Sequence, residues 1–405
     1  MKKILLSVLT IIGLVLPAVA TTRDANPIPT AMPSLTIAPD AHAAGMGDIG
    51  VATNPDLNSQ HWNPSKYAFM ESKGGITVNY TPWLTKLVTD INLAYIAGYY
   101  NMGDLAGTIS GGFTYFSMGD VQLVGDQGQF FANARPNEWA IDLAYSRKLH
   151  EYLSMAVALR FLYSDLNNGV NSSTNTNSIE MYPAWTMAAD VSLYYRQPIA
   201  TPMGESNLAI GLNLSNLGGK MTYDEGETQH FIPANLRLGL SYELPFDDYN
   251  RLMLSVEANK MLVPTQYSKF AVDADGNPLE GQQLKEWYTE ISSPNGWWMS
   301  FCDAPGHAAS NVSSTLEEFQ EVQWGVGLEY SYNRQFFGRV GYSHENYYKG
   351  NRRYVTLGAG FKLSIFSLDF AYCIATAPSN PLDGTMRFTL GFDLAGIKDL
   401  VNNAK

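Results

Sequence analysis

The chain has 405 residues, a formal net charge of −12, 35 glycines and 50 aromatic Phe, Tyr and Trp residues among only 16% charged ones. An acidic chain is a poor partner for phosphate backbones, which require Lys/Arg clusters, so nucleic-acid binding is excluded as a main role. Two cysteines, Cys302 and Cys373, exclude a disulfide-dense scaffold.

Residues 1–20 read MKKILLSVLTIIGLVLPAVA. Lys2 and Lys3 form a positive start, Ile4 to Leu16 a short apolar run, and Ala18-Val19-Ala20 a small-x-small cleavage site. We read this as a secretory signal peptide. The apolar run falls short of the roughly 20 residues that a membrane helix needs, and no later stretch supplies one. Without Lys2 and Lys3 the formal charge falls to −14.

Residues 21–73 are rich in Pro, Ala, Asn and Asp and show little period-two alternation. We expect an N-terminal extension on the periplasmic side with short helical turns, serving as a hatch or plug.

From Gly74 the texture changes. Apolar and polar residues alternate for about ten residues, a turn follows, and the pattern repeats, as in transmembrane strands. Leu236, Leu238, Leu240, Tyr242 and Leu244, for example, alternate with Arg237, Gly239, Ser241 and Glu243. The expected strands are Gly74–Thr81, Asp90–Tyr100, Leu105–Met118, Asn137–Lys148, Tyr152–Asp165, Pro183–Gln197, Glu205–Ser215, Ala234–Pro245, Tyr249–Leu262, Glu321–Tyr332, Gln335–His344, Arg352–Lys362, Ile365–Ala375 and Gly384–Leu394. Residues 395–405 form a tail.

Alternation also fits a soluble sandwich. Two features favour a membrane barrel. Aromatics such as Tyr242, Trp324, Tyr330 and Phe392 sit near strand ends, as in interface girdles. The connections also alternate in length. Asn101–Asp104, Leu149–Glu151, Pro198–Gly204, Phe246–Asp248, Asn333–Arg334 and Leu363–Ser364 are short, whereas Gly119–Pro136, Leu166–Tyr182, Asn216–Pro233 and Val263–Gln320 are long. Short turns belong in the periplasm and long loops outside. The fold class is therefore all-β: an antiparallel 14-stranded transmembrane β-barrel, 74–394, embedded in outer-membrane lipid.

Charges sort to one face. Arg160, Asp190, Arg237, Glu243, Glu257, Glu329, Arg339, Asp369 and Arg387 all lie opposite the apolar stripe. A lipid-facing Arg at the bilayer midplane costs about 2–4 kcal/mol, so these residues line the lumen. Their mixed signs suggest cross-strand pairs, Glu329 with Arg339 and Asp369 with Arg387. Structural salt bridges are the plainer reading and a substrate path the other.

The long external loop carries Trp287, Tyr288, Trp297, Trp298 and Phe301. A loop this long is functional or disordered, and bulky aromatics argue against disorder. Packing as a cap over the mouth and binding of a partner protein are both expected uses. A Cys302–Cys373 disulfide tying this loop over the mouth is one reading; two free thiols is the other.

No catalytic constellation is legible. His42, His61, His150, His230, His307 and His344 lie in no G-x-S-x-G or H-E-x-x-H context. We read them as solvated and the protein as a non-enzyme with no cofactor and no metal.

Residues Asn26 to Phe69, NPIPTAMPSLTIAPDAHAAGMGDIGVATNPDLNSQHWNPSKYAF, together with Asn79–Leu84, NYTPWL, resemble the N-terminal hallmark of the PorV (LptO) family of type IX secretion. Trp62-Asn63-Pro64 resembles the short motif that precedes the first strand in the broader FadL-like group of fourteen-stranded barrels, with Ser65 where alanine is usual. The resemblance implies a Bacteroidota shuttle. Such a protein engages cargo bearing a C-terminal sorting domain as it leaves the giant translocon barrel (SprA or Sov), and delivers it to the attachment complex containing the sortase PorU. The alternative is a FadL-like channel for hydrophobic small molecules.

Overall fold

In a computed structural model the described residues are 26–394, apart from 104, 125–129, 169–181, 225, 227, 307–311 and 378–379. The signal peptide, the C-terminal tail and most of the Leu166–Tyr182 loop lie outside them.

The strands are β1 (Gly74–Pro82), β2 (Asn92–Asn101), β3 (Thr108–Ser117), β4 (Val121–Val124), β5 (Phe130–Ala134), β6 (Asn137–His150), β7 (Leu153–Asp165), β8 (Ala184–Thr201), β9 (Gly204–Gly218), β10 (Asn235–Pro245), β11 (Asn250–Met261), β12 (Gln323–Tyr332), β13 (Phe336–His344), β14 (Arg353–Lys362), β15 (Phe366–Ala375) and β16 (Met386–Asp393). Fourteen of these close into one antiparallel barrel, sealed by β1 against β16 from Gly75↔Asp393 to Tyr80↔Phe388. All fourteen expected strands are present. The remaining two, β4 and β5, form a separate antiparallel pair within Gly119–Pro136, which was expected only as a long external loop. The Pro198–Gly204 connection is also tighter than expected, because β8 runs to Thr201 and β9 resumes at Gly204.

Closure follows from backbone accounting. In hydrocarbon each unpaired N–H or C=O costs several kcal/mol, so a spanning sheet must have no edge. Asn333 and Arg334 both take φ 53°, the left-handed pair in the three-residue connection that turns β12 into β13.

The two faces are inverted relative to a soluble sheet. On β1, Thr77, Asn79 and Thr81 are fully buried, while Ile76, Val78 and Tyr80 are exposed. Leu143, Leu159 and Met187 on β6 to β8 are each more than 60% exposed. A soluble sandwich would bury these residues; here they meet acyl chains. At the outer ends Trp139 stacks on Tyr163 at 5.0 Å, and Trp185 stacks on Phe161 at 6.0 Å. Tyr100, Tyr332 and Phe336 mark the periplasmic end. Amphipathic rings of this kind favour the membrane interface.

What fills the barrel is the N-terminal segment. Asn26 donates its backbone N–H to the Tyr348 carbonyl at 2.9 Å, and Ala31 donates to Phe231 at 2.8 Å. Both acceptors lie in external loops. At the other end Asn101 N–H reaches the Lys73 carbonyl at 2.8 Å beside a periplasmic turn. The segment therefore begins at the outer mouth and descends through the lumen, which corrects its expected place on the periplasmic side. Met32, Met46, Gln60, Trp62, Lys66 and Tyr67 in it are among the most deeply buried side chains of the protein.

Candidate functional site

The plug is organised around a few polar side chains. Asp40, in extended conformation, caps the short helix Ala41–Gly45 by accepting the Ala43 N–H at 2.9 Å. Its second oxygen accepts the Trp62 indole N–H at 2.7 Å. Asn63 donates to the carbonyls of Val51 and of wall residue Leu193, both at 2.9 Å. Asn63 also caps the 3-10 turn Pro64–Phe69, where Pro64 sits in the first turn and gives up no hydrogen bond. Lys66 donates to the Gly50 carbonyl at 2.9 Å and to Thr53 at 3.0 Å. Trp62, Asn63 and Pro64 are thus plug architecture, with Trp62 also under the Arg237 guanidinium at 4.6 Å.

The wall grips the plug through the charged residues expected in the lumen. Glu257 accepts the N–H groups of Gly50 and Val51 at 2.8 and 2.9 Å and faces Arg237 at 3.7 Å. Arg160 lies between Asp190 at 2.9 Å and Asp142 at 3.8 Å. Arg339 joins Glu329 at 2.5 Å to Asp369 at 2.6 Å. Glu243 takes Arg251 at 2.7 Å and plug residue Asn54 at 2.5 Å.

One expected pair is wrong. Arg387 does not meet Asp369; it donates to the plug carbonyl of Ala38 at 3.0 Å and lies 3.6 Å from Asp48. Register explains this, since Arg387 sits opposite Ala371 while Asp369 sits opposite Thr389 and Gly360. Gly360 leaves open the space through which Asp369 reaches Arg339, because a Cβ there would meet both side chains. The expectation of solvated histidines also fails for His42. That ring is buried in the plug, 2.7 Å from Asp56 and 3.1 Å from Glu329.

Below the plug a cavity of about 600 Å³ opens toward the periplasmic turns, with Asp56, Glu243, Arg251, Arg334, Arg339 and Lys362 among its lining. Its lining is mixed, with Met253, Phe337, Phe361, Leu363 and Phe366 beside these charged groups.

The outer surface is dominated by the long loop, whose described part folds into helices Gly281–Glu290, Ser293–Met299 and Ser314–Gln320. Tyr288 anchors it. The phenol donates to the Pro264 carbonyl at 3.0 Å, its ring meets Phe231 edge-on at 5.2 Å, and burial with the nearby Asp303 carboxylate pushes its pKa well up. Lys220 donates to the carbonyls of Tyr288 and Thr289 at 3.0 and 2.9 Å; burial lowers its pKa to about 8.

The five loop aromatics therefore divide. Tyr288 is a structural anchor, Trp287 and Trp297 are half-buried, and Trp298 and Phe301 are exposed, Trp298 by 77%. Beside Tyr267, Phe270 and Val272 near its start, the loop exposes on its last helix two apolar residues that were missed, Leu316 and Phe319 (72% exposed). The signal was their i, i+3 spacing within the otherwise polar STLEEFQ helix.

The proposed Cys302–Cys373 bridge is absent. Both thiols are free, Cys302 exposed and Cys373 buried. Cys373 sits on β15 opposite Thr356, whereas the loop next to Cys302 is fastened at Lys260, at the end of β11. A disulfide needs Cα atoms within about 7 Å, and the loop is tied several strands away from β15.

A closed lipid-facing sheet with a filled lumen defines the class, a plugged outer-membrane β-barrel. Within that class the chain belongs to the PorV family, since the family described as "Type IX secretion system protein PorV" matches residues 20–268, from before the plug into the long external loop. It is an outer-membrane protein of type IX secretion. No curated protein matches the chain by sequence. Among solved structures it is similar to the Ralstonia pickettii toluene transporter TbuX (12% identity, 87% of this chain and 96% of that one, TM-score 0.44). It is also similar to the Pseudomonas putida toluene transporter TodX (10%, 91% and 98%, 0.46) and a Pseudomonas aeruginosa FadL homologue (12%, 91% and 99%, 0.41).

Proposed function

We propose that this barrel works as a surface docking protein of type IX secretion. It receives a secreted protein bearing a C-terminal sorting domain as the cargo leaves the giant translocon barrel (SprA/Sov), and passes it to the attachment complex containing the sortase PorU. The barrel performs no chemistry on the cargo. It offers reversible binding through exposed apolar side chains, with main-chain pairing to a β-rich sorting domain as a further contribution.

The supporting observation is a division of labour within the molecule. The lumen is occupied by a hydrogen-bonded plug, while the outer loop is a fastened shelf that exposes Trp298, Phe301, Leu316 and Phe319. Large apolar groups held in water by a rigid shelf signal an interaction surface. The test is capture of a purified sorting domain by the full-length protein in detergent. Trp298→Ala with Phe319→Ala should weaken capture at least tenfold and leave the heat-modifiable barrel unchanged on gels; unaltered capture contradicts the proposal. A channel for hydrophobic molecules would require an open path through the lumen, and the hydrogen-bonded plug above the cavity does not favour that reading.

A further inference from the structure

Beside the exposed shelf lies a cluster that the docking reading does not use. Oxygens of Asp303, Glu318 and Glu321 lie within 4.8 Å of one another, with Asp303 and Glu321 buried and Glu318 half-buried. Oxygens that share one calcium ion at about 2.4 Å each lie no farther apart than about 4.8 Å.

The cluster carries excess negative charge. Lys260 lies 2.7 Å from Glu321 and 3.3 Å from Glu318. Lys349 lies 2.9 Å from Glu321 and 2.7 Å from Glu317. Among the described residues Asp303, Glu317, Glu318 and Glu321 are thus four carboxyl groups against two ammonium groups, almost wholly out of water, and burial together with the Glu321 charge pushes the Asp303 pKa up to about 7. Buried charge without a counter-charge is strongly unfavourable.

A second observation points into the same place. Asp303 is 0% exposed, and while one of its oxygens accepts the Thr265 N–H at 2.7 Å, the other is buried without a hydrogen-bond partner among the described residues. The hydroxyl of Thr265, also 0% exposed, has no partner among the described residues either. Two orphaned oxygens beside several carboxyl groups form a donor arrangement suited to a cation.

We propose that Asp303, Glu318 and Glu321 hold a calcium-type divalent cation at the cell surface, with the Thr265 hydroxyl as a further donor. The donor set is hard oxygen, without the imidazole or thiolate that zinc sites favour. The ion draws the ammonium of Lys260 off Glu318 and Glu321, so Lys260 acts as its competitor. It pins the segment after Phe301 more firmly to the helix that carries Phe319, adding to the hydrogen bonds that the Ala304 and Gly306 N–H groups give to Glu318 and Glu317 at 2.7 and 2.8 Å. The site stands on its own geometry and does not depend on the docking reading.

The test uses the full-length protein in detergent, stripped with chelator and titrated with CaCl2 in a calorimeter, with MgCl2 as control. One calcium per chain is expected, with a Kd between micromolar and millimolar, and with magnesium weaker. Asp303→Asn and Glu318→Gln should each weaken binding at least tenfold, and Lys260→Met should tighten it. Glu318 is half-buried, so its variant keeps the test alive if Asp303→Asn disturbs the loop; heat-modifiability on gels reports whether the barrel is intact. No calcium binding by the parent protein, or equal binding by both carboxylate variants (ions held by residual lipid), overturns the proposal.

Discussion

Trp62 donates its indole N–H to Asp40 at 2.7 Å across 22 residues of plug, and the same carboxylate holds the first turn of the helix at Ala43. Asp40 is fully buried, so both donors lose their only acceptor if it is removed. An unsatisfied buried donor costs about 1–3 kcal/mol. Asp40→Ala should therefore loosen the plug while the fourteen-strand wall persists. In planar bilayers the parent protein should stay electrically silent and the variant should show channel openings; a silent variant contradicts the assigned role.

Arg339 is the hinge of a second network, clasped by Glu329 and Asp369. Arg339→Ala leaves buried Glu329 with only His42 beside it and half-buried Asp369 without its counter-charge, a loss of about 3–5 kcal/mol. The melting temperature in detergent should fall clearly. Adding Glu329→Gln and Asp369→Asn should recover part of the loss, because the penalty comes from unpaired charge. Additive losses in the triple variant would refute the network.

The two thiols differ in access. A membrane-impermeant maleimide applied to intact cells should label Cys302 without reductant and leave Cys373 untouched until the barrel is unfolded. Labelling of neither residue before reduction, followed by labelling of both after it, would restore the disulfide.

Lys220 gives the loop a pH dependence. Its folded pKa lies near 8, below the unfolded value near 10.5, so between these values the undocked loop binds more protons than the docked one. Docking of helix Gly281–Glu290 should therefore strengthen as pH rises from 8 toward 10.5. Protease protection of the loop should increase over that window in the parent and stay flat in Lys220→Met. Loss of protection in the parent would reverse the sign.

Much of this was legible in the sequence and some was not, for identifiable reasons. The strands were legible because every second residue of a spanning segment must satisfy lipid, a strict local demand that Leu236 to Leu244 display openly. The lumen charges were legible for the same reason. So was the Glu329–Arg339 pair; the other partners were not, because several belong to the plug, which shares no periodicity with the wall. Arg387 could be assigned a face but not Ala38. The glycines were the overlooked clue. A Cβ on Gly341 would fall 2.1 Å from Gly47 N, and one on Gly211 would fall 2.1 Å from Val51 O, so the wall is thinned where plug backbone lies against it. In the loop, aromatic content marked the region but could not separate the anchoring Tyr288 from the displayed Trp298, since burial there depends on Phe231 and Pro264 brought in from elsewhere.

The account rests on the outer shelf being the working surface. Its most direct test places a photo-crosslinking amino acid at position 298 or 319 in secreting cells, with lipid-facing position 238 as control. The account predicts covalent adducts with secreted cargo through its C-terminal sorting domain at 298 and 319, and none at 238. Cargo adducts absent from both shelf positions while secretion proceeds normally would contradict it.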